Sequence, residues 1–117
     1  MPLTVIAVRV DGLFGMSYRR GRRFEYIVRD LFRSRGWFVV RAAASRPVDL
    51  VCLRRADVGV VAVLVECKYG VGSPRRSDAA GLVAAARRAG ATPVLAFAEK
   101  RGRMRMIDAE KWLDFTP

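Results

Sequence analysis

The sequence contains no histidine, asparagine or glutamine among its 117 residues. Histidine is the commonest general base in enzymes. Its absence excludes Ser-His nucleophiles and most zinc sites. Without amide side chains, the chain lacks the residues that usually read adenine through two hydrogen bonds, and a shortage of thermolabile amides is also a weak sign of a thermophile. Only two cysteines are present, Cys52 and Cys67, so we expect buried, reduced thiols rather than a zinc site or a disulfide framework.

Long apolar runs are also missing from the chain. No stretch reaches the roughly 18 apolar residues that a membrane span needs, and no basic amphipathic helix stands apart from the core pattern. The amino terminus lacks the basic region and small-residue cleavage site of a signal peptide. We therefore expect a cytoplasmic protein that binds no membrane.

Lysine is scarce, because only Lys68, Lys100 and Lys111 occur among the 22 basic residues. The remaining cations are arginines, which bind phosphate through bidentate hydrogen bonds to two of its oxygens. With 11 acidic residues the net charge is +11, which favours a polyanion such as nucleic acid as the partner. A GC-rich genome would enrich arginine equally well. If the partner is DNA, the missing amides indicate recognition of backbone and shape rather than sequence.

The chain length predicts one domain with one core. Residues 4–10 have the pattern of a short strand. Because Met16 opens an ordinary basic amino terminus, residues 1–15 are an amino-terminal extension, an edge strand, a disordered segment or a misassigned start, and residues 16–117 form the domain.

Apolar positions at helical spacing predict a first helix over about 21–35, ended by Gly36. A second helix, capped by Ser77, is expected to run to Ala89, and a short last helix, capped by Asp108, to include Trp112 and Leu113. Five strands are predicted between these helices, at 37–43, 47–54, 58–69, 92–98 and 103–107.

The strongest chemical signal is an Asp followed seventeen residues later by Glu-Cys-Lys. If strands 47–54 and 58–69 form a hairpin in which Arg55 faces Val60, Asp49 lies opposite Glu66 on one face of the sheet. Lys68 shares that face because side chains alternate with a period of two.

Two facing carboxylates repel each other unless a cation lies between them. Their oxygen ligands suit Mg²⁺ or Mn²⁺, and Glu25 on the first helix is the natural third carboxylate. Such an ion would activate water and polarise a phosphate, with Lys68 placing or deprotonating the nucleophile. The alternative is a buried ion-pair cluster without catalysis.

The order of Glu25, Asp49 and Glu66-Cys67-Lys68 resembles the PD-(D/E)xK nuclease superfamily. Within it, the helix start 21–25 (Gly-Arg-Arg-Phe-Glu) and the segment 36–45 (Gly-Trp-Phe-Val-Val-Arg-Ala-Ala-Ala-Ser) are similar to archaeal Holliday junction resolvases. This resemblance runs from about 17 to 110. It implies an α/β, restriction-endonuclease-like fold with a central mixed five-stranded sheet flanked by helices.

Carried over by position, the resemblance implies metal ligation by Glu25, Asp49, Glu66 and the Cys67 carbonyl. It also implies catalysis by Lys68. Ser45 matches a loop serine near the reacting phosphate, although a turn serine that bonds its own backbone fits equally well. The chain departs from the family pattern at Tyr26, where Arg is frequent, and at Asp78, where Gln is frequent.

We expect DNA contacts from arginines at the first helix, in the loop near the site and before the second helix, namely Arg19, Arg20, Arg22, Arg23, Arg41, Arg46, Arg75 and Arg76. A solvated charged surface is the alternative reading. The resemblance implies a homodimer that resolves four-way DNA junctions by paired nicks, with a sliding clamp or a branch-migration helicase as candidate partners. Another repair or restriction-type nuclease and an inactive DNA-binding scaffold remain alternatives.

Overall fold

The first helix, α1 (Ser17–Ser34), carries the apolar stripe that anchors it to the sheet. Phe24, Val28 and Phe32 are fully buried, and each buried side chain of this size contributes roughly 1.5–3 kcal/mol. The helix ends where Gly36 adopts φ of 88°, a left-handed conformation that glycine enters without a steric cost. The prediction of this helix is confirmed.

A computed structural model describes residues 17–42 and 46–117, with side chains from residue 21 onward. The predicted strand at 4–10, the extension 1–15, Ser45 and the side chains of Arg19 and Arg20 lie outside this description. Among the described helices, none is both long and apolar enough to cross a membrane.

The sheet has six strands in the order in which they occur along the chain. They are β1 (Phe38–Arg41), β2 (Leu50–Ala56), β3 (Gly59–Tyr69), β4 (Thr92–Ala98), β5 (Arg105–Asp108) and β6 (Leu113–Asp114). All neighbours are antiparallel except β3 and β4, which are parallel, so the sheet is mixed as predicted. The pairing of Arg55 with Val60 confirms the predicted hairpin register.

The predicted strand count of five is wrong by one, because the carboxy-terminal segment does not form a helix. The Asp108 carboxylate accepts bonds from the amides of Glu110 and Lys111, and the Trp112 amide bonds the Asp108 carbonyl at 2.7 Å. These bonds close a turn from which the chain returns as β6 beside β5. Asp108 is therefore the cap of a turn, since only a few residues separate it from the next strand.

The second helix, α2 (Ala80–Ala89), follows a 3₁₀ turn at Arg76–Ala79. The predicted cap, Ser77, is wrong: the Asp78 carboxylate accepts the Arg75 amide at 2.8 Å. The cap position is Arg75, with Asp78 bonding back to its amide from the third position of the turn, because the first turn is 3₁₀ and begins earlier than the apolar pattern suggests.

Two apolar layers enclose the sheet. On one face α1 packs against Leu50 of β2 and against Val65 and other odd-numbered residues of β3. On the other face α2 packs against Leu64, Leu95 and Phe97. Because α2 contacts mainly β3 and β4, among the described residues it leaves Phe38 and Val40 of β1 and the hairpin end of β2 and β3 exposed on its side.

Candidate active site

The amino-terminal end of β2, where the strand begins at Leu50, determines the position of Asp49. The antiparallel ladder stops at Leu50, which pairs with Val65, yet the Asp49 amide also bonds the Val65 carbonyl, at 2.8 Å. Two consecutive residues therefore oppose Val65, as in a β-bulge, which re-aims a side chain. The expectation that Asp49 would lie directly opposite Glu66 is corrected accordingly: it lies one position outside the ladder.

The bulge directs the Asp49 carboxylate onto the edge of β3. Because β2 begins at Leu50, opposite Val65, the Cys67 amide lies beyond the β2–β3 ladder, and it donates to Asp49 Oδ2 at 2.7 Å. The N–H and C=O of one residue in a β-strand point to the same side, so the Cys67 carbonyl also faces the Asp49 side. Asp49 therefore lies next to the Glu66-Cys67-Lys68 segment.

Glu66 and Lys68 lie together on the α2 face of β3. Lys68 Nζ is 3.7 Å from Glu66 Oε2, and both side chains are largely buried. The second carboxylate oxygen, Glu66 Oε1, is buried without a hydrogen-bond partner among the described residues. A buried oxygen without a partner is costly, which marks it as a position for a ligand.

Electrostatics link the carboxylates to one another. Burial raises the pKa of Asp49 above its ordinary value, the bond from the Cys67 amide opposes this, and the charge of Glu25 raises the pKa further. Burial likewise raises the pKa of Glu66, Lys68 opposes the rise, and the charges of Asp49 and Asp78 add to it. Without a further cation, the ionised carboxylates destabilise one another.

Glu25 reaches the site from α1 and is held by Arg41. Arg41 Nε donates to Glu25 Oε1 at 2.9 Å, with less than a third of either side chain exposed. The Arg41 guanidinium also lies 5.0 Å from the centre of the Tyr26 ring, and Arg29 lies 4.5 Å from it. Tyr26, which departs from the family pattern, thus supports two arginines beside the site.

The chemistry of these residues fits a hard divalent cation. The donors are carboxylate oxygens, together with the Cys67 carbonyl, and Glu66 contributes the buried oxygen for which residues 21–42 and 46–117 supply no partner. In the described conformation, no three Asp, Glu, Cys or His side chains of residues 21–42 and 46–117 are arranged to hold an ion. The carboxylate of Glu25 is engaged by Arg41, so joining the other two requires it to turn.

Neither thiol takes part in this cluster. Burial raises the pKa of Cys52 to about 12, so its sulfur stays protonated at neutral pH. Burial also raises the pKa of the Cys67 thiol well above its usual value. Both cysteines are free and pack on the α1 face, while Glu66 and Lys68 face α2.

The arginines predicted to bind DNA occupy several places. Arg22, Arg23, Arg46, Arg75 and Arg76 are exposed, as phosphate contacts require. Arg41 instead lies against Glu25. Sequence reasoning did not identify the influence of Arg46, whose charge lowers the pKa of Asp49, or of Asp78, which acts on Glu66. The only sequence signal for Asp78 was its departure from the family pattern.

Fold and site together define a restriction-endonuclease-like α/β domain with an acidic and lysine cluster where its central strands end. A sequence profile of the archaeal Holliday junction resolvases (Hjc) matches residues 16–114. The chain belongs to this family, whose members are nucleases that act on branched DNA.

A solved structure with the same fold is that of Hjc from Archaeoglobus fulgidus, a Holliday junction resolvase from an archaeal hyperthermophile. The two are 23% identical and superpose with a TM-score of 0.62 over 84% of this chain and 79% of that one. At this identity the likeness shows the fold alone. No curated protein matches the sequence.

Proposed function

We propose that this chain is a Mg²⁺- or Mn²⁺-dependent endodeoxyribonuclease that resolves four-way DNA junctions. The observation that carries the proposal is the meeting of Asp49, Glu66 and Lys68 at one end of β3, with a buried Glu66 oxygen that has no hydrogen-bond partner in the described part of the chain. Membership of the resolvase family supports the choice of substrate.

Asp49 and Glu66 are the proposed principal ligands, with Glu25 and the Cys67 carbonyl completing the set. Bound there, the ion would polarise the scissile phosphate and lower the pKa of a water ligand. Glu25 would exchange its bond to Arg41 for the ion, and the Arg41 guanidinium lies beside the site, where a phosphate would pass.

Lys68 is the proposed catalytic cation. It lies beside Glu66, and a largely buried ammonium there stabilises negative charge that develops on the phosphate oxygens more strongly than a fully hydrated one would. The exposed arginines position the junction through its backbone, which suits recognition of shape. Ser45, placed near the reacting phosphate by family resemblance, remains a prediction.

A direct test compares an immobile four-way junction with matched duplex and a Y-shaped fork, each in Mg²⁺ or in EDTA. We expect symmetric nicks in the junction that require the metal. Equal cutting of duplex would identify a repair or restriction-type nuclease instead, and junction binding without any cutting would identify an inactive scaffold.

We further propose that two copies pair through an exposed apolar surface, the hairpin patch, formed by Phe38, Val40, Leu53 and Val60. These side chains lie on the α2 side of β1, β2 and β3, beyond the reach of α2, and Phe38 and Val60 are 63% and 72% exposed. Phe38, Leu53 and Val60 border a depression of about 640 Å³. Exposed apolar patches of this kind mark protein contacts.

A second copy is the occupant that the charges around the hairpin patch favour. The rim carries Arg55 together with Asp57, so a two-fold axis through the patch can set Arg55 of each copy against Asp57 of the other. Two active sites related by such an axis match the two-fold symmetry of a four-way junction and would produce paired incisions. A sliding clamp or branch-migration helicase remains a candidate for other surfaces.

Val60→Asp is expected to convert the dimer to a monomer, because the new carboxylates would be buried across the pairing surface. The molar mass measured by light scattering after size exclusion should fall from twice the 13.0 kDa mass of one chain to the mass of one chain. The control is Val58→Asp, the same change at the 97% exposed tip of the hairpin, which should stay dimeric. A wild-type protein that is monomeric at working concentration would contradict the pairing.

A further inference from the structure

A second concave surface lies on the α2 side of the sheet, and its lining includes neither Asp49 nor Glu66. This aromatic groove has a volume of about 340 Å³, within the range of small-ligand sites. Its lining includes Ser73, Pro74, Phe97, Arg105, Trp112 and Leu113. The resolvase mechanism proposed above uses none of these residues.

Strand register connects the aromatic groove to the active site. Lys68 pairs with Phe97 across the parallel strands, and Phe97 pairs with Arg105 on the next strand. Paired residues share a face, and adjacent strands lie about 4.8 Å apart, so Arg105 is displaced about 10 Å from Lys68 across the sheet. One strand of a DNA duplex rises about 3.4 Å per nucleotide, so the groove is only a few nucleotides from the proposed cleavage point.

The groove combines aromatic rings with guanidinium groups. Arg105 lies with Cζ 5.5 Å from the centre of the Phe97 ring, and Arg76 lies 5.4 Å from the centre of the Trp112 ring. Arg105 also pairs with Asp114 at 3.3 Å, while half of its side chain remains exposed. Sites for single nucleic-acid strands combine aromatic rings, on which bases stack, with cationic groups such as guanidinium, which donate hydrogen bonds to phosphates.

The backbone of Trp112 is strained. Its φ of 59° is a left-handed conformation that bulky residues rarely adopt, and such strain persists only where the surroundings impose it. Here the turn capped by Asp108 imposes it, through the bond from the Trp112 amide to the Asp108 carbonyl. The turn therefore fixes the backbone at Trp112, and the indole lines the groove while packing partly against the apolar layer on the α2 side.

We propose that the aromatic groove binds one nucleotide of the DNA strand that passes through the active site, with its base against Trp112 and its phosphate at Arg76 and Arg105. The inference rests on the proposed nuclease function, because it assigns a place to the strand beside the scissile phosphate. A nucleotide held there fixes the direction in which the strand leaves Lys68.

Trp112 itself provides a probe of the groove. The chain has two tryptophans, and Trp37 is 5% exposed, so Trp37→Phe leaves the indole of Trp112 as the source of tryptophan emission. Titration with a four-way junction in EDTA, which prevents cleavage, is expected to quench this emission as the junction binds. The matched variant, Trp112→Phe, retains Trp37 and should show little quenching.

A second test measures the affinity for the junction, in variants that keep Trp37. Trp112→Leu is expected to weaken junction binding in EDTA by about 5- to 150-fold, the range found when one stacked base loses its aromatic partner. Arg76→Ala should weaken it as well, whereas Arg88→Ala, an equal loss of charge at the exposed end of α2, should have a smaller effect.

Two further outcomes are distinguishable. A junction that binds with unchanged Trp112 emission, and with equal affinity for Trp112→Leu, overturns the nucleotide site and leaves the nuclease proposal standing. A protein that binds no junction at all overturns both.

Discussion

Asp49→Asn is expected to lower metal-dependent junction cleavage by about 1000-fold or more while leaving junction binding nearly unchanged. Asn removes the negative charge that an ion requires, and loss of a single well-placed electrostatic contact in an active site already costs about 100- to 1000-fold. The Asn carbonyl can still accept the Cys67 amide, so the end of β2 should keep its shape.

The measurement is the initial rate of nicking of a labelled junction, with binding followed separately by fluorescence anisotropy in EDTA. Asp30→Asn serves as the control, because it makes the same chemical change at a 62% exposed side chain on α1. Asp49→Asn protein that nicks junctions at the wild-type rate would remove Asp49 from the catalytic site.

Phe24→Ala is expected to lower the free energy of unfolding by about 3–5 kcal/mol, a large part of the 5–15 kcal/mol typical of a domain. Phe24 is fully buried, and its ring lies 5.8 Å from that of Tyr69 on β3. Alanine leaves a cavity between α1 and the sheet beside Glu25, so the position of that carboxylate should loosen as well.

Urea denaturation in EDTA measures this loss without a contribution from bound metal. Leu113→Ala removes a 62% exposed side chain and should change the free energy of unfolding by less than about 1 kcal/mol. If Phe24→Ala costs no more than Leu113→Ala, the packing of α1 against β3 is not as described.

Local patterns were sufficient for much of the fold. The apolar stripe of α1 and the hairpin register, with Arg55 opposite Val60, depend on neighbours close in sequence. The turn after Asp108 was misassigned because an Asp that caps a helix and an Asp that caps a turn have the same local signature. Six strands rather than five are the result.

Details of the candidate site depend on contacts that no local pattern encodes. The bulge at Asp49 arises where the ladder of β2 and β3 ends, and the bond between Arg41 and Glu25 joins residues on separate elements. Likewise, the register of two parallel strands is set by a long crossover rather than by a tight turn, so the placement of Phe97 beside Lys68 was not predictable. The aromatic groove was missed for that reason.

The most direct test of the account is a crystal structure of the protein with Mn²⁺, located by anomalous scattering. We predict one principal peak within about 2.0–2.3 Å of carboxylate oxygens from both Asp49 and Glu66, with Glu25 turned away from Arg41 toward the ion. Crystals soaked to saturation that show no peak there, with Asp49 still bonded to the Cys67 amide and Glu25 to Arg41, would contradict the claim that these residues form a metal site.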